Sequence, residues 1–251
     1  MASYLITGAA RGLGLAFVQK LVALPAEEIS VVFATARAPS SELEELAKES
    51  SGRVVVIRLE VTDEASIKQA TVEVEKKLAG KGLDVLINNA GVCEYAMDGV
   101  KSMDNLEHSF SINVLGVHWV TRAFIPLLQK GTQKKVINIS TTLASITLAR
   151  AAHVLAAPAY KISKAAMNAL TVQYALDYEK EGFTFMALSP GWLKTDLGGR
   201  DMADLTAEEG AALSLDIIRG PSRGLNGQFP RIYLPGWENS RHQYDGSNAP
   251  W

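Results

Sequence analysis

The sequence predicts an α/β fold, a doubly wound sheet of about seven mostly parallel strands with helices on both faces. Three observations lead there. Short apolar runs alternate with longer stretches of helical spacing along the whole chain. The runs are continuous rather than polar-alternating, as strands buried on both faces are. A glycine-rich turn joins the first run to the first helical stretch, the place where such sheets receive ligands.

The expected strands are Tyr4–Thr7, Val31–Ala36, Val54–Val61, Val85–Asn88, Val136–Ser140 and Phe183–Leu188. After the first, Leu13, Phe17, Leu21 and Leu24 share one helical face; Leu106, Phe110, Val114 and Val117 do the same further on. Gly182 stops the helix that carries Leu170 and Leu176, and Thr206 with Glu209 forms a capping box at the start of another. Alternation of this kind implies right-handed crossovers. The stretches 141–159, 191–205 and 220–251 read as irregular. One domain is expected over residues 1–251, with a substrate lid at about 192–212 and a C-terminal tail at about 233–251.

Bulk composition excludes several functions. Of 251 residues, 47% are hydrophobic and 21% charged, enough for a large core. With 25 basic and 27 acidic residues, a net charge of -2 and no basic run, neither nucleic acid nor a membrane surface is expected as partner. Apolar runs such as Val31–Ala36 are too short to span a bilayer. Cys93 is the only cysteine, and the start of the chain carries no signal-peptide pattern, so a reducing, cytoplasmic setting is expected.

The turn after the first strand reads Thr7-Gly8-Ala9-Ala10-Arg11-Gly12-Leu13-Gly14. Glycines are needed where a backbone turns sharply and where a pyrophosphate must approach the N–H groups at a helix start. Three such glycines alone are a weak signal; lying between a strand and an amphipathic helix, they point to a dinucleotide. The second strand ends Ala34-Thr35-Ala36-Arg37, with no acid before Glu42. An acid there suits the ribose hydroxyl of NAD, a basic residue the 2′-phosphate of NADP. Arg37, with Arg11 in the glycine turn, therefore favours NADP(H) over NAD(H), unless both are solvated surface residues. Asp63 is placed either to bond adenine or to cap the next helix. Asn88-Asn89-Ala90-Gly91 ends the fourth strand with small residues that let a cofactor lie close to the backbone.

Tyr160 and Lys164 lie one helical turn apart, after the strand ending in Ser140-Thr141. A phenol with a pKa of about 10 is a poor base near neutrality, and an adjacent ammonium favours its ionised form. Such a pair exchanges a proton with an oxygen while hydride moves. The spacing alone is commonplace; its place beyond the fifth strand gives it weight. Asn113 is polar on an apolar helical face, which is also how a helix-interior asparagine bonded to nearby backbone reads. His108, His153 and Cys93 have no partner at a telling spacing and read as structural, and no metal-ligand cluster is present.

Together these residues resemble the short-chain dehydrogenases/reductases. Thr7-Gly8-x-x-x-Gly12-x-Gly14, Asn88-Asn89-Ala90-Gly91, Asn113-Val114-x-Gly116, Tyr160-x-x-Ser163-Lys164 and Pro190-Gly191 occur in that family's order, over residues 3 to about 200. Pro190-Gly191-Trp192-Leu193-Lys194-Thr195-Asp196 and the closing Asp245-Gly246 to Pro250-Trp251 resemble the C-factor and sniffer-like carbonyl reductase branch. The resemblance implies a Rossmann-type fold and an NADPH-dependent oxidoreductase acting on a carbonyl or secondary alcohol, with Tyr160 as general acid/base. Lys164 would bond the nicotinamide ribose and tune Tyr160, and Asn113 would hold a water reaching Lys164. Thr195 and the Leu193 backbone would grip the carboxamide; Asp63 and Asn89 would contact the adenosine half. A homodimer or homotetramer is implied too.

Two departures mark this chain. The family's catalytic serine is replaced in Asn138-Ile139-Ser140-Thr141, where alignment puts Thr141 at that position and leaves Ser140 as its neighbour on the opposite face. The stretch Thr142–Ala159 is long and rich in Ala and Leu, suggesting an apolar wall and a small apolar or cyclic substrate. A non-redox isomerisation or cyclisation on the same fold, or an NADP-binding regulator without turnover, are the alternatives.

Overall fold

The computed structural model describes residues 1–153, 155–222, 224–240 and 242–251. Among these, six strands form one sheet: β1 (Ala2–Thr7), β2 (Ile29–Ala36), β3 (Val54–Arg58), β4 (Val85–Asn88), β5 (Lys135–Ile139) and β6 (Thr184–Leu188). Their order across the sheet is β3-β2-β1-β4-β5-β6, and every neighbouring pair is parallel. The order reverses between β1 and β4, which opens a crevice beyond the carboxyl ends of those two strands. Where a seventh strand would lie beside β6, the chain makes only isolated parallel bridges, Met186 with Gln228 and Ser189 with Arg231. Pro230 sits between those bridging residues and has no N–H to give a ladder.

Among the described residues, seven helices cover the sheet: α1 (Gly12–Val22), α2 (Ser41–Glu49), α3 (Glu64–Leu78), α4 (Leu106–Phe110), α5 (Val117–Gln129), α6 (Pro158–Asp177) and α7 (Ala207–Arg219). Alternate strand residues feed opposite cores. Tyr4 and Ile6 pack with Phe17 and Leu21 of α1 and Leu215 of α7. Leu5, Phe33 and Phe185 face Val74 of α3 and Phe124 of α5. The capping box at α7 is present, with Thr206 accepting from Glu209 N and Glu209 from Thr206 N. The strand expected over Val54–Val61 stops at Arg58, because Glu60 N turns to Ser66 Oγ at 3.0 Å.

A wider π turn at Ser111–Gly116 joins α4 to α5, so helical backbone continues over Leu106–Gln129. That helix, 24 residues with a mean hydropathy of 1.2, is long and apolar enough to cross a membrane, which the short apolar runs of the sequence do not suggest. Half of its apolar window is buried inside the protein, as in a core helix.

Candidate active site

The crevice at the strand-order reversal is built first from the glycine turn. Gly8 and Gly12 adopt φ of 67° and 55°, a region that disfavours side chains. A Cβ on Gly14 would lie 2.3 Å from Gly8 O and 2.6 Å from Asn89 Nδ2. Asn89 locks this turn by donating to Thr7 O at 2.9 Å, while Thr7 Oγ1 accepts from the N–H groups of Asn89 and Ala90. Ala90 Cα would be 2.9 Å from a Gly8 Cβ, so the two loops pack backbone to backbone. Arg11, the residue just before α1, provides no side-chain cap. The first N–H groups of this 11-residue helix, Leu13 among them, are thus left for an anion. That suits a pyrophosphate.

Both arginines sit at the rim with carboxylate partners. Arg11 pairs with Asp196 at 3.0 Å and Arg37 with Glu60 at 3.6 Å, each arginine side chain 78% exposed. Pairs this exposed are weak and yield readily to a phosphate. Asp63 caps α3 by accepting from Ala65 N and Ser66 N, so the capping alternative is realised through one of its two oxygens.

The proton-handling side chains are brought in by α6. Four buried polar side chains link α6 to the sheet: Asn88 donates to Thr121 Oγ1 at 2.9 Å and Asn138 Oδ1 at 2.8 Å, and Asn138 donates to Thr171 Oγ1 at 2.8 Å. This chain sets the height of Tyr160 and Lys164 above β5. Tyr160 and Lys164 are both buried. Lys164 Nζ donates to Ile139 O at 2.6 Å, and burial pushes its ammonium down to about 8. Burial pushes the Tyr160 phenol up, against a hydrogen bond from Thr141 that pulls it down. The expected Tyr–Lys coupling is therefore indirect in this arrangement: the shared helical face is there, but the ammonium is turned to the strand end.

Of the two adjacent hydroxyls, Thr141 faces Tyr160. Its oxygen accepts from Leu143 N at 3.2 Å, which leaves its own proton free to be donated. Ser140 points the other way, donating to Asn168 Oδ1 at 2.6 Å in a buried setting. Both lie just past β5, where the backbone is still extended (Thr141 φ -158°, ψ 146°), and successive residues of extended backbone alternate faces. Ser140 thus lies behind the site. Asn113 is fully buried; its Oδ1 accepts from Val92 N and its Nδ2 donates to Val92 O and Ser163 Oγ. With the amide so engaged, Asn113 braces the Val92 loop, and holding a water would fall to its main chain. Gly91 lies between, where a Cβ would come 3.1 Å from Asn113 Oδ1 and 3.6 Å from Lys164 Nζ.

The segment after β6 closes the other side. Gly191 turns with φ of 89° after Pro190, and Leu193 is buried, its main-chain oxygen accepting from Thr195 N at 2.8 Å. Thr195 reaches to within 3.3 Å of where a Gly12 Cβ would be, so this segment rests on the glycine turn. Sequence reasoning passed over Asp204 and Asn168, gave Asp196 no role, and read Cys93 as structural. Cys93 adjoins the Tyr160–Lys164 pair electrostatically, and burial pushes its thiol up to about 11. Its position two residues past Gly91, at the strand-four motif, was the available signal.

A family model described as short chain dehydrogenase matches residues 3–212. The chain belongs to the short-chain dehydrogenase family. Among relatives of this dehydrogenase, the short-chain dehydrogenase/reductase AacuF of Aspergillus aculeatus is 38% identical, covering 90% of this chain and 95% of its own length. The NADPH-bound carbonyl reductase from chicken fatty liver superposes with a TM-score of 0.85 at 35% identity, covering 100% of this chain and 99% of that one. Carbonyl reductase Sniffer of D. melanogaster gives 0.86 at 28% identity over 100% of both chains.

Proposed function

We propose that this dehydrogenase is an NADP(H)-dependent reductase of small apolar or cyclic carbonyl compounds. The observation that carries it is the Tyr160 phenol, kept protonated by burial, with the Thr141 hydroxyl beside it at the carboxyl edge of the sheet. Two such donors converge on one carbonyl oxygen, Thr141 polarising it and Tyr160 delivering the proton as negative charge develops. The bound cofactor would supply the hydride. Gly8, Gly12, Leu13 and Gly14 would take the pyrophosphate, Arg11 and Arg37 the 2′-phosphate, and Asp63, Asn89 and Ala90 the adenosine side. Gly91, Tyr160, Lys164, Pro190, Gly191, Leu193 and Thr195 would surround the nicotinamide half. NADP(H) is supported by the basic pair at the rim and by the NADPH that the 35%-identical chicken reductase holds.

An apolar substrate fits the mouth of the site. Exposed Tyr95, Met97, Ile146, Trp192, Leu197 and Met202 come from the three loops that follow β4, β5 and β6. We place the protein in a reducing, cytoplasmic compartment on its free Cys93, and its assembly as a homodimer or homotetramer on family resemblance. The deciding experiment follows NADPH oxidation with a panel of ketones, quinones and aldehydes, NADH alongside. Turnover with NADPH and a marked preference over NADH are expected; a preference for NADH, or no turnover of any carbonyl, defeats the proposal.

A further inference from the structure

The chain beyond α7 does not trail off the surface. From Gln228 it runs along the free edge of β6, where Ala187 N donates to Gln228 O and Ser189 N to Pro230 O, both at 3.0 Å. It then doubles back: Tyr233 bridges Asp245, and Pro230 bridges Asn248, both antiparallel. Buried Arg231 ties the return arm by donating to Asp245 Oδ2 at 3.0 Å and Ser247 Oγ at 2.6 Å. The result is a hairpin fastened to the sheet.

Its return arm touches both sides of the substrate mouth. On the lid side, the Tyr244 hydroxyl donates to Asp204 Oδ2 at 2.5 Å and accepts from Trp192 N at 3.1 Å. Those two residues are the two ends of the segment that arches over the glycine turn. His242 adds a contact to the same Asp204 oxygen at 2.6 Å. On the opposite side, Trp251 stacks on Phe229 with centroids 5.3 Å apart. Its main-chain oxygen accepts from Thr147 N at 3.1 Å and Thr147 Oγ1 at 2.7 Å. Thr147 belongs to the apolar wall that follows β5.

We propose that this hairpin is a clamp that sets the width of the substrate mouth: Tyr244 holds the lid, Trp251 holds the wall, and their fixed spacing selects which carbonyl reaches Tyr160. Both are positioning residues, acting through Trp192, Asp204 and Thr147. The clamp rests on the reading of about 192–212 and 142–159 as the two sides of a carbonyl site. A rigid body that bonds both sides transmits position between them, because packed, hydrogen-bonded elements shift as units.

The test uses Tyr244→Phe, Trp251→Ala and the shape-conserving Thr147→Val in the full chain, with a one-ring and a three-ring ketone as probes. In Tyr244→Phe and Thr147→Val, which lose side-chain hydrogen bonds, the ratio of kcat/KM for the narrow ketone to that for the broad one falls by about tenfold, the size of one lost hydrogen bond. Trp251→Ala keeps its main-chain oxygen but loses the stack on Phe229 that seats it, and the ratio falls likewise. The change lies in KM, and the Kd for NADPH stays at the wild-type value. A second reading is independent of turnover. Amide exchange over 192–205 accelerates in Trp251→Ala and Thr147→Val, though both substitutions lie on the far side of the mouth. An unaltered ketone ratio in variants that bind NADPH normally overturns the clamp, as does exchange in the lid that ignores the wall-side variants. Wild-type protein that reduces neither ketone instead defeats the carbonyl-reductase reading, and the exchange measurement still decides the clamp.

Discussion

At Tyr160, burial and one hydrogen bond act in opposite directions on a single phenol. Burial raises its pKa and the Thr141 hydroxyl lowers it, so the group enters the reaction protonated, as an acid for a carbonyl oxygen must. Thr141→Ala removes the second donor, and kcat is expected to fall by about a hundred- to a thousand-fold, as for loss of an oxyanion-type donor. Ser140→Ala, which cuts a bond to Asn168 behind the site, should lower the urea midpoint and leave kcat near wild type. Comparable activity loss in both variants would show that the hydroxyl register is wrong. At the rim, Arg37→Asp replaces a phosphate partner with a like charge; it should weaken NADPH far more than NADH in fluorescence titrations. Lys164 carries a pH signature. Burial holds its ammonium down at about 8, whereas the unfolded chain keeps that proton to about 10.4. Between those values the unfolded state binds more protons, so this residue's contribution to stability rises with pH. Urea denaturation of wild type against Lys164→Met should show the difference moving in favour of wild type from pH 8 to pH 10; a flat difference contradicts the lowered value.

Among the elements, α6 is the one whose placement matters for chemistry, and polar groups rather than apolar area set it. The chain Thr121–Asn88–Asn138–Thr171 runs from α5 through β4 and β5 to α6 entirely in the interior. Removing Asn138 cuts two buried hydrogen bonds at once. Asn88 keeps Thr121 and Thr171 keeps Met167 O, but one Asn88 N–H and the acceptor side of the Thr171 hydroxyl are left unpaired in the interior, at a cost of about 1–3 kcal/mol. Asn138→Ala should therefore lower unfolding stability by more than a single surface hydrogen bond would, as read from urea titration, and lower kcat through displacement of Tyr160. Element boundaries show what local pattern can carry. The strand Val85–Asn88 and the capping box at Thr206 were legible because both depend on neighbours in sequence. The end of β3 was not, because the side chains of Ser66 and Glu60, several residues apart, turn the chain early.

For the whole molecule, the segment Lys194–Ala212 is the expected moving part. It is held at Arg11–Asp196, at Trp192 Nε1 to Gly198 O, 2.6 Å, and at Asp204. A cofactor phosphate competes with Asp196 for Arg11 and brings its own contacts to Thr195, so amide exchange across 194–212 should slow when NADPH and a ketone bind. Equal exchange with and without ligand would argue that the segment is a fixed wall.

The doubly wound sheet, the glycine turn at Gly8–Gly14 and the Tyr160–Lys164 pair were determined by the sequence itself. Each is a matter of short-range spacing: period two in strands, one helical turn between side chains, glycine where φ is positive. Tertiary structure alone decided that Lys164 spends its ammonium on Ile139 O, that Ser140 is engaged by Asn168 behind the site, and that Tyr244 and Trp251 bond the segments after β6 and β5. Those outcomes join residues remote in the chain: Arg11 and Asp196 are 185 positions apart, Thr147 and Trp251 are 104. No local pattern encodes such pairings, because they depend on how the sheet, once packed, brings its loops to one edge.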